Sequence, residues 1–366
     1  MKHLAKALAI LLTALPAASV AQTSQRITAG KANEYGLVYT LPQTAFDIYI
    51  EAELSRDTPG EFYNYARRHL GITNAVTQEK RSAKVLSVII VPRGIADQSE
   101  QWLAQFKNGT SAFITLSPEG FPLAINAEAP TAARKPAIPA AKPAAPSPLE
   151  GQAARQAVTQ DMARSSSASK KAELAAQRIF ELRETRSDIL SGQAENPPAD
   201  GNAMKLVLDN LAAQEAALTA MFAGVHSSHT VVEKVTFIPD STDVSGLVIA
   251  RLSTTDGLVD ADNLAGSPIT LDFKVLDEGK LPLTEKGEPK TFPKGGVAYR
   301  IPGTGEITIS YAGQPIDSAE FPVAQLGTVF GINPALFTDK KEPYSLIFDP
   351  STGAAITLEP AAAPAD

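Results

Sequence analysis

Two histidines close together give the clearest metal-ligand spacing in the sequence. The chain has four histidines, and only two serines separate His226 from His229. Imidazole is a common zinc ligand, but zinc sites use three or four protein ligands. Glu233, Asp240 and Asp243 follow without a spacing that brings any of them to the histidine pair. We predict no metal site, and His226 and His229 are the candidates if that prediction is wrong.

The carboxylates give no specific catalytic signal. Residues 256–263 contain three aspartates but lack the ligand alternation and final glutamate of a helix-loop-helix calcium site, so we predict a solvated turn. The sequence has no G-x-S-x-G, H-E-x-x-H or phosphate-binding glycine motif. Aromatic residues make up 6% of the chain and Trp102 is the single tryptophan, which disfavours a carbohydrate-stacking groove. We predict no catalytic and no cofactor-binding residue.

Composition excludes several further classes. The 366 residues include no cysteine, so the chain has no disulfide framework, thiolate metal site or cysteine nucleophile. The formal net charge is −7, which disfavours general binding to nucleic acid because the phosphates would be repelled. The length is sufficient for two domains with packed cores.

The N-terminus has the layout of an export signal. Lys2 and Lys6 precede an apolar run over residues 7–15, and small residues at 19 and 21 predict cleavage after Ala21. The apolar run is shorter than the roughly 20 residues of a membrane-spanning helix, and no later segment is long enough. We therefore predict a signal peptide over 1–21, export of the mature chain and no transmembrane segment.

Residues 28–127 are predicted to form an N-terminal β domain with one short helix. Apolar and polar residues alternate over 46–54, which predicts a strand with one buried and one wet face. Residues 84–91 are apolar at both odd and even positions, so both faces of the strand are expected to be buried, which predicts a central strand. The helix is predicted over 59–71, with its aromatic side on the sheet. A hairpin with its turn at 117–120 closes this domain.

Residues 128–168 are rich in alanine, proline and serine and are predicted to form a disordered spacer, although 152–162 could form a frayed helix. Its basic residues are interpreted as solvated charge, with attachment to anionic lipid or polysaccharide as the alternative. Residues 169–224 have helical periodicity that is interrupted at 191–198, which predicts an antiparallel helical hairpin.

One charged residue lies on the apolar ridge of each predicted helix. These residues are Arg186 and Glu215. A charged side chain in the apolar contact between two helices, here called the seam, must either pair with an opposite charge or turn out toward solvent. Counting back from the loop predicts Arg178 as the cation nearest to Glu215. Arg186 is predicted to turn away from the seam, toward an acid such as Asp209 or toward the sheet. We predict structural roles for Glu215, Arg178 and Arg186.

Residues 229–359 contain short β segments separated by turn residues, which predicts a larger C-terminal β domain, and residues 360–366 are predicted to be a disordered tail. The predicted fold class is α+β, mainly antiparallel β, with two sandwich-like or barrel-like domains and the helical hairpin inserted between them. Residues 112–126 and 344–358 have similar hairpin patterns, but one shared turn does not establish a duplication.

Several short phrases occur together in this chain. They are Tyr39-Thr40-Leu41-Pro42-Gln43-Thr44, Pro59-Gly60-Glu61-Phe62, Glu181-Leu182-Arg183-Glu184-Thr185-Arg186, Pro198-Ala199-Asp200-Gly201, Gln325-Leu326-Gly327 and Asp349-Pro350-Ser351-Thr352-Gly353. Their order resembles a family of exported proteins from Bacteroides-like gut anaerobes that is known only as a domain of unknown function. The resemblance covers most of the mature chain. It implies a Gram-negative periplasm or outer surface and supplies no catalytic residue.

The same resemblance implies a route to glycosylation. Such bacteria attach sugars at triplets of aspartate, serine or threonine, and a small or apolar residue. Ser318 and Ser241 lie in triplets of this kind, although triplets so short also arise by chance.

The predicted function is that of an exported, non-enzymatic protein that acts in binding or envelope assembly, with an envelope protein or a glycan as partner. The alternative is a secreted hydrolase that uses aspartate and glutamate as acid and base. A pocket lined by convergent carboxylates would favour the hydrolase.

Overall fold

The structure, a computed structural model, describes residues 37–104, 112–130, 136–196, 201–339 and 341–361. The strands are β1 (Leu37–Thr58), β2 (Lys80–Ala104), β3 (Ile114–Leu116), β4 (Pro122–Ile125), β5 (Val225–Phe237), β6 (Val244–Ser253), β7 (Gly257–Val259), β8 (Ser267–Asp277), β9 (Val297–Tyr311), β10 (Gln314–Ile332), β11 (Tyr344–Phe348) and β12 (Ala355–Pro360). The helices are α1 (Ala66–Leu70), α2 (Gln152–Ala157), α3 (Gln160–Arg164), α4 (Ala168–Ser191) and α5 (Gly201–Ala223). The predicted signal peptide, with its cleavage site at Ala21, and residues 362–366 of the predicted tail lie outside the described residues.

The strands form three open, antiparallel sheets. The first has the order β2-β1-β5, the second β10-β9-β8-β6-β7, and the third β12-β11-β4-β3. The predicted α+β class with mainly antiparallel strands is therefore confirmed. The sheets combine strands from both predicted β domains, since β5 pairs with β1 and β11 pairs with β4. The two hairpins with similar sequence patterns, β3–β4 and β11–β12, lie side by side in the third sheet.

The first two sheets pack face to face around the largest hydrophobic core. Alternate residues of β1, including Phe46, Ile48 and Ile50, are fully buried there, together with Leu271 of β8 and Ile309 of β9. The strand predicted from the alternation over 46–54 is confirmed. Its other face is only partly wet, because Asp47 is 6% exposed.

The strand predicted at 84–91 exists within β2, but its predicted central position is wrong. β2 is at the edge of the first sheet and β1 is in the centre. The apolar residues of β2 from Val85 to Val91 are half-buried, except for the more exposed Leu86. The reason is that β5, far along the chain, pairs with the other side of β1 over residues 46–58.

The helices form a separate layer with its own core. The predicted short helix ends at Gly71 in the left-handed conformation, with a φ of 70°. Its aromatic side does not lie on the sheet as predicted, since the Phe62 ring packs on Phe222 of α5 at a centroid distance of 5.4 Å. The Phe62 amide also donates a hydrogen bond of 2.7 Å to the Met221 carbonyl. α5 leads directly into β5, and the last turn of α5 packs on the segment that contains Phe62.

The predicted spacer is partly helical. α2 and α3 lie within residues 128–168, and Ala157 and Met162 are buried in the helical core. Thr159 caps α3 by accepting a hydrogen bond of 3.3 Å from the Met162 amide. The helical alternative for 152–162 is therefore supported, and residues 152–157 and 160–164 are packed instead of disordered because each short helix contributes a buried side chain to the core.

The two long helices are confirmed as α4 and α5, and they pack against each other. Ile179 and Leu182 of α4 share the helical core with Leu218 of α5. α4 ends at Gly192 in the left-handed conformation. None of the described helices is both long and apolar enough to cross a membrane.

Candidate binding groove beside strand β5

Among the residues that the structure describes, a single residue covers one side of strand β5. β1 pairs with one side of β5 along its whole length. On the other side, Lys142 and Thr230 form a single antiparallel bridge: each amide donates to the carbonyl of the other residue, at 3.1 and 3.0 Å. In the part of the chain that the structure describes, no further residue pairs with this side of β5.

The main-chain groups beyond Thr230 face the same free side. In an antiparallel ladder, hydrogen-bonding groups point to a given side at every second residue. Because Thr230 points toward Lys142, the amides and carbonyls of Val232, Lys234 and Thr236 point that way too. Three successive positions of β5 are therefore available to a strand placed next to it.

A groove of about 480 Å³ lies beside these positions. Residues 233–236 of β5 form one wall, Ile249 and Ala250 of β6 form the apolar floor, and residues 259–262 form the opposite wall. Ile249 and Ala250 are 8% and 2% exposed, so the floor is part of the sandwich core. The described spacer residues 136–141 do not line the groove.

Three carboxylates surround the groove. Glu233, Asp260 and Asp262 are exposed, and they form no ion pair or hydrogen bond through their carboxylates with the described residues. Arg251 fixes the turn that carries Asp260 and Asp262. Its side chain donates hydrogen bonds to the carbonyls of Ala261 at 2.8 Å and Gly266 at 3.2 Å. The predicted solvated turn at 256–263 thus supplies one wall of the groove.

The side chain of Lys234, a residue of the groove wall, points away from the groove. Lys234 Nζ lies 2.8 Å from Asp47 Oδ2 on the outer face of the sheet. Asp47 also accepts from Arg93 Nε at 3.0 Å and from Thr236 Oγ1 at 2.9 Å. Burial raises the pKa of Asp47, but the hydrogen bonds from Lys234, Thr236 and Arg93 outweigh it and hold the pKa below its usual value. The Lys234 ammonium group therefore lies outside the groove.

This arrangement suits the binding of an extended chain. Unpaired main-chain groups at a sheet edge bind a peptide strand, and an adjacent groove selects its side chains. The described residues contain no group of three or more histidine, aspartate or glutamate side chains placed to hold a metal.

The predicted histidine candidates do not converge on one site. His226 and His229 lie three residues apart on β5, so their side chains point to opposite faces of the sheet. His226 Nδ1 lies 2.6 Å from Asp57 Oδ1 on the outer face. His229 is opposite Leu54 of the buried face of β1. This pair therefore cannot share one metal ion.

The predicted partners of the seam charges are wrong. Glu215 binds two arginines of α4, with Arg183 Nε at 2.6 Å and Arg186 Nη1 at 2.9 Å. Arg186 thus turns toward Glu215, whereas we predicted that it turns toward Asp209 or the sheet. Arg178 binds Glu181 on its own helix, at 3.2 Å. Contact with residues 183 and 186 instead of 178 corresponds to a shift of five to eight residues along α4, roughly 8–12 Å at the rise of an α-helix.

Both predicted glycosylation serines are exposed. Ser318 lies in β10, and its hydroxyl donates to Glu306 Oε1 at 3.0 Å and lies 2.8 Å from Thr308 Oγ1. Ser241 lies in the turn between β5 and β6. Glycosylation at either serine stays a prediction.

Sequence reasoning missed the groove because its walls come from separate segments. The acidic run was visible in the sequence, but its position opposite β5 depends on the pairing of β5 with β1. The bridge at Lys142 follows from no local pattern, since its segment is rich in alanine and proline.

The fold and the groove define a mainly antiparallel α+β protein with a helical layer and an open sheet edge. The family model described as Domain of unknown function (DUF4831) matches residues 35–356, and the chain belongs to this family. This confirms the resemblance to a family of unknown function, while its bacterial group stays a prediction. No curated protein and no solved structure matches the chain.

Proposed function

We propose that the protein is an exported, non-enzymatic binding protein of a Gram-negative envelope, and that it holds an extended segment of an envelope protein in the groove beside β5. The observation that carries the proposal is the row of three main-chain positions at Val232, Lys234 and Thr236 beside an open groove. Export is supported by the layout of residues 1–21, with the charged start, apolar run and small residues of a signal peptide.

Edge pairing provides both affinity and orientation. An added strand gains main-chain hydrogen bonds, while pockets beside the edge select alternate side chains. Natural proteins usually protect such edges with short strands, prolines or covering segments. Among the described residues, the covering segment pairs with β5 only at Lys142, and Pro136, which the register of this bridge places opposite Thr236, carries no amide hydrogen. The described residues therefore leave most of this edge open.

Photo-crosslinking in the native host tests the binding role. A photoreactive amino acid is placed at Thr236, whose main chain lines the groove and whose side chain would lie on the outer face beside that of an added strand, and at Lys274, which is exposed on β8 outside the groove. We expect one discrete adduct from position 236 and none from position 274. The adduct is identified by mass spectrometry, and the complex is then rebuilt from the two purified proteins. Equal adducts at both positions, or none at 236, would contradict the proposal.

Intact-mass measurement of protein from the native host tests export. We expect a mature chain that begins at Gln22. A full-length chain with residues 1–21 attached would contradict export and the envelope role.

A further inference from the structure

We infer that the segment bound beside β5 is a basic strand of a partner protein, with lysine or arginine at the position opposite Glu233 and an apolar residue at the position opposite Val235. The inference rests on the proposed function and specifies its partner. It follows from the direction of the β5 side chains, the charge of the groove and the constraint that the edge places on proline.

The side-chain directions define what the partner meets. Along β5, Lys234 and Thr236 point to the outer face, where both contact Asp47. Glu233 and Val235 therefore point to the sandwich side, where the groove has its apolar floor at Ile249. In an antiparallel pair, directly opposite residues share a face, so an added strand presents one side chain to Glu233 and another to Val235. A cation suits the first position and an apolar side chain suits the second.

The charge balance of the groove favours a basic strand. Glu233, Asp260 and Asp262 contribute three negative charges. The only cation of the described residues directed toward this turn is Arg251, and its guanidinium donates to two carbonyls beneath the turn. Lys234 directs its ammonium group to Asp47 on the other face, away from the groove. A lysine or arginine opposite Glu233 gains attraction from all three carboxylates, and salt weakens this attraction because the groups are exposed.

The segment that already touches the edge is unsuited to fill the groove. The bridge between Lys142 and Thr230 sets a register in which residue 138 would lie opposite Lys234 and residue 136 opposite Thr236. Residue 136 is proline, which has no amide to donate to Thr236. The described residues 136–141 are absent from the groove lining, consistent with this conflict. The occupant is therefore a separate strand with amides at these positions.

Three matched peptides test the inference on the full mature chain. Each is a labelled peptide of alternating valine and threonine in which one central valine is replaced by lysine, glutamine or glutamate, so that the neighbouring residues on the same face stay apolar. Fluorescence anisotropy at low salt measures binding. We expect the lysine peptide to bind about tenfold more tightly than the glutamine peptide, as two or three favourable cross-strand and wall contacts would give. We expect the glutamate peptide to bind more weakly than either.

Two pairs of variants locate the effect. Asp260→Asn with Asp262→Asn should reduce the preference for lysine to about threefold or less. The control, Glu278→Gln with Glu285→Gln, removes two exposed charges outside the groove and should retain the preference. Val232→Pro removes an edge amide and should weaken all peptides, whereas Val232→Ala should not. Circular dichroism confirms that each variant is folded.

The outcomes separate the inference from the proposed function. If the three peptides bind equally, or if the aspartate variants keep the full lysine preference, the basic-strand inference is wrong while edge binding stands. If no peptide binds and Thr236 gives a discrete crosslink, the inference is wrong and the proposed binding role stands. If no peptide binds and no crosslink forms at Thr236, both are wrong.

Discussion

The side chain of Gln325 binds the backbone of Thr44 as a neighbouring strand would. The Thr44 amide donates to Gln325 Oε1 at 2.9 Å, and Gln325 Nε2 donates to the Thr44 carbonyl at 2.8 Å. The same Nε2 also donates to the Pro239 carbonyl at 3.2 Å. Thr44 is fully buried, so its backbone groups depend on these bonds. One amide side chain thus joins β1, β10 and the segment after β5.

Changing Gln325 to glutamate should destabilise the protein strongly. The carboxylate keeps an acceptor for the Thr44 amide but replaces the donor with an oxygen that faces two carbonyls. We expect the free energy of unfolding to fall by about 2–3 kcal/mol, as measured by urea denaturation at pH 7. Gln214→Glu is the matched control, because Gln214 makes only an exposed bond to Asn210. A loss of less than about 0.5 kcal/mol for Gln325→Glu would show that the junction does not depend on this amide.

Three of the phrases that carry the family resemblance meet at this junction. Thr44 Oγ1 donates to the Ser351 carbonyl at 3.0 Å and accepts from the Ala324 amide at 3.0 Å. The loop at 349–353 is held by Asp349, whose Oδ1 accepts from the amides of Ser351 and Thr352. These phrases therefore have a structural explanation, since they fix where the sandwich meets the third sheet.

Asp47 should make stability depend on pH in the acid range. Its folded pKa lies below the unfolded value of about 3.9, so its contribution is present above that value and is lost as pH falls through the folded pKa. We expect Asp47→Asn to lower the free energy of unfolding by about 1–2 kcal/mol at pH 7. The difference between wild type and variant should shrink below about pH 4. Urea denaturation between pH 7 and pH 2 measures it.

An exposed aspartate is the control for this measurement. Asp240→Asn lies outside the network of Asp47 and should give no comparable difference at pH 7. A difference between wild type and Asp47→Asn that stays constant down to pH 2 would contradict the assignment.

The local elements could be predicted from the sequence, and their neighbours could not. Alternation over 46–54 and helical spacing over 169–224 gave correct strands and helices, because a local period reports which face is buried. The strand predicted for the centre of the first sheet was wrong. β5, which takes the other side of β1, follows the whole helical layer in the sequence, so no local pattern indicates this pairing. The groove depends on the same long-range pairing. Its acidic wall at 260–262 was visible as composition, but composition does not indicate what lies opposite.

Gly60 should tolerate no side chain. A Cβ at this position would meet the carbonyl oxygens of Met221 and Ala220 closer than carbon and oxygen can approach. We expect Gly60→Ala to lower the free energy of unfolding by roughly 1–3 kcal/mol, because the last turn of α5 must shift. Gly201→Ala is the control, since a Cβ there meets nothing within 4 Å and alanine favours a helix. Equal melting temperatures for the two variants would contradict the close contact.

Glu215 should contribute more to stability than Arg178, contrary to the partners predicted from the sequence. Its side chain is 15% exposed and binds two arginines, whereas the pair of Arg178 with Glu181 lies on one exposed helix face. We expect Glu215→Ala to cost about 1–2 kcal/mol, because two guanidinium groups lose their shared acceptor, and Arg178→Ala to cost less than about 0.5 kcal/mol. Double-mutant cycles with Arg183→Ala and Arg186→Ala measure the coupling to Glu215. A larger coupling of Glu215 to Arg178 than to either of these arginines would show that the helices pack in the register predicted from the sequence.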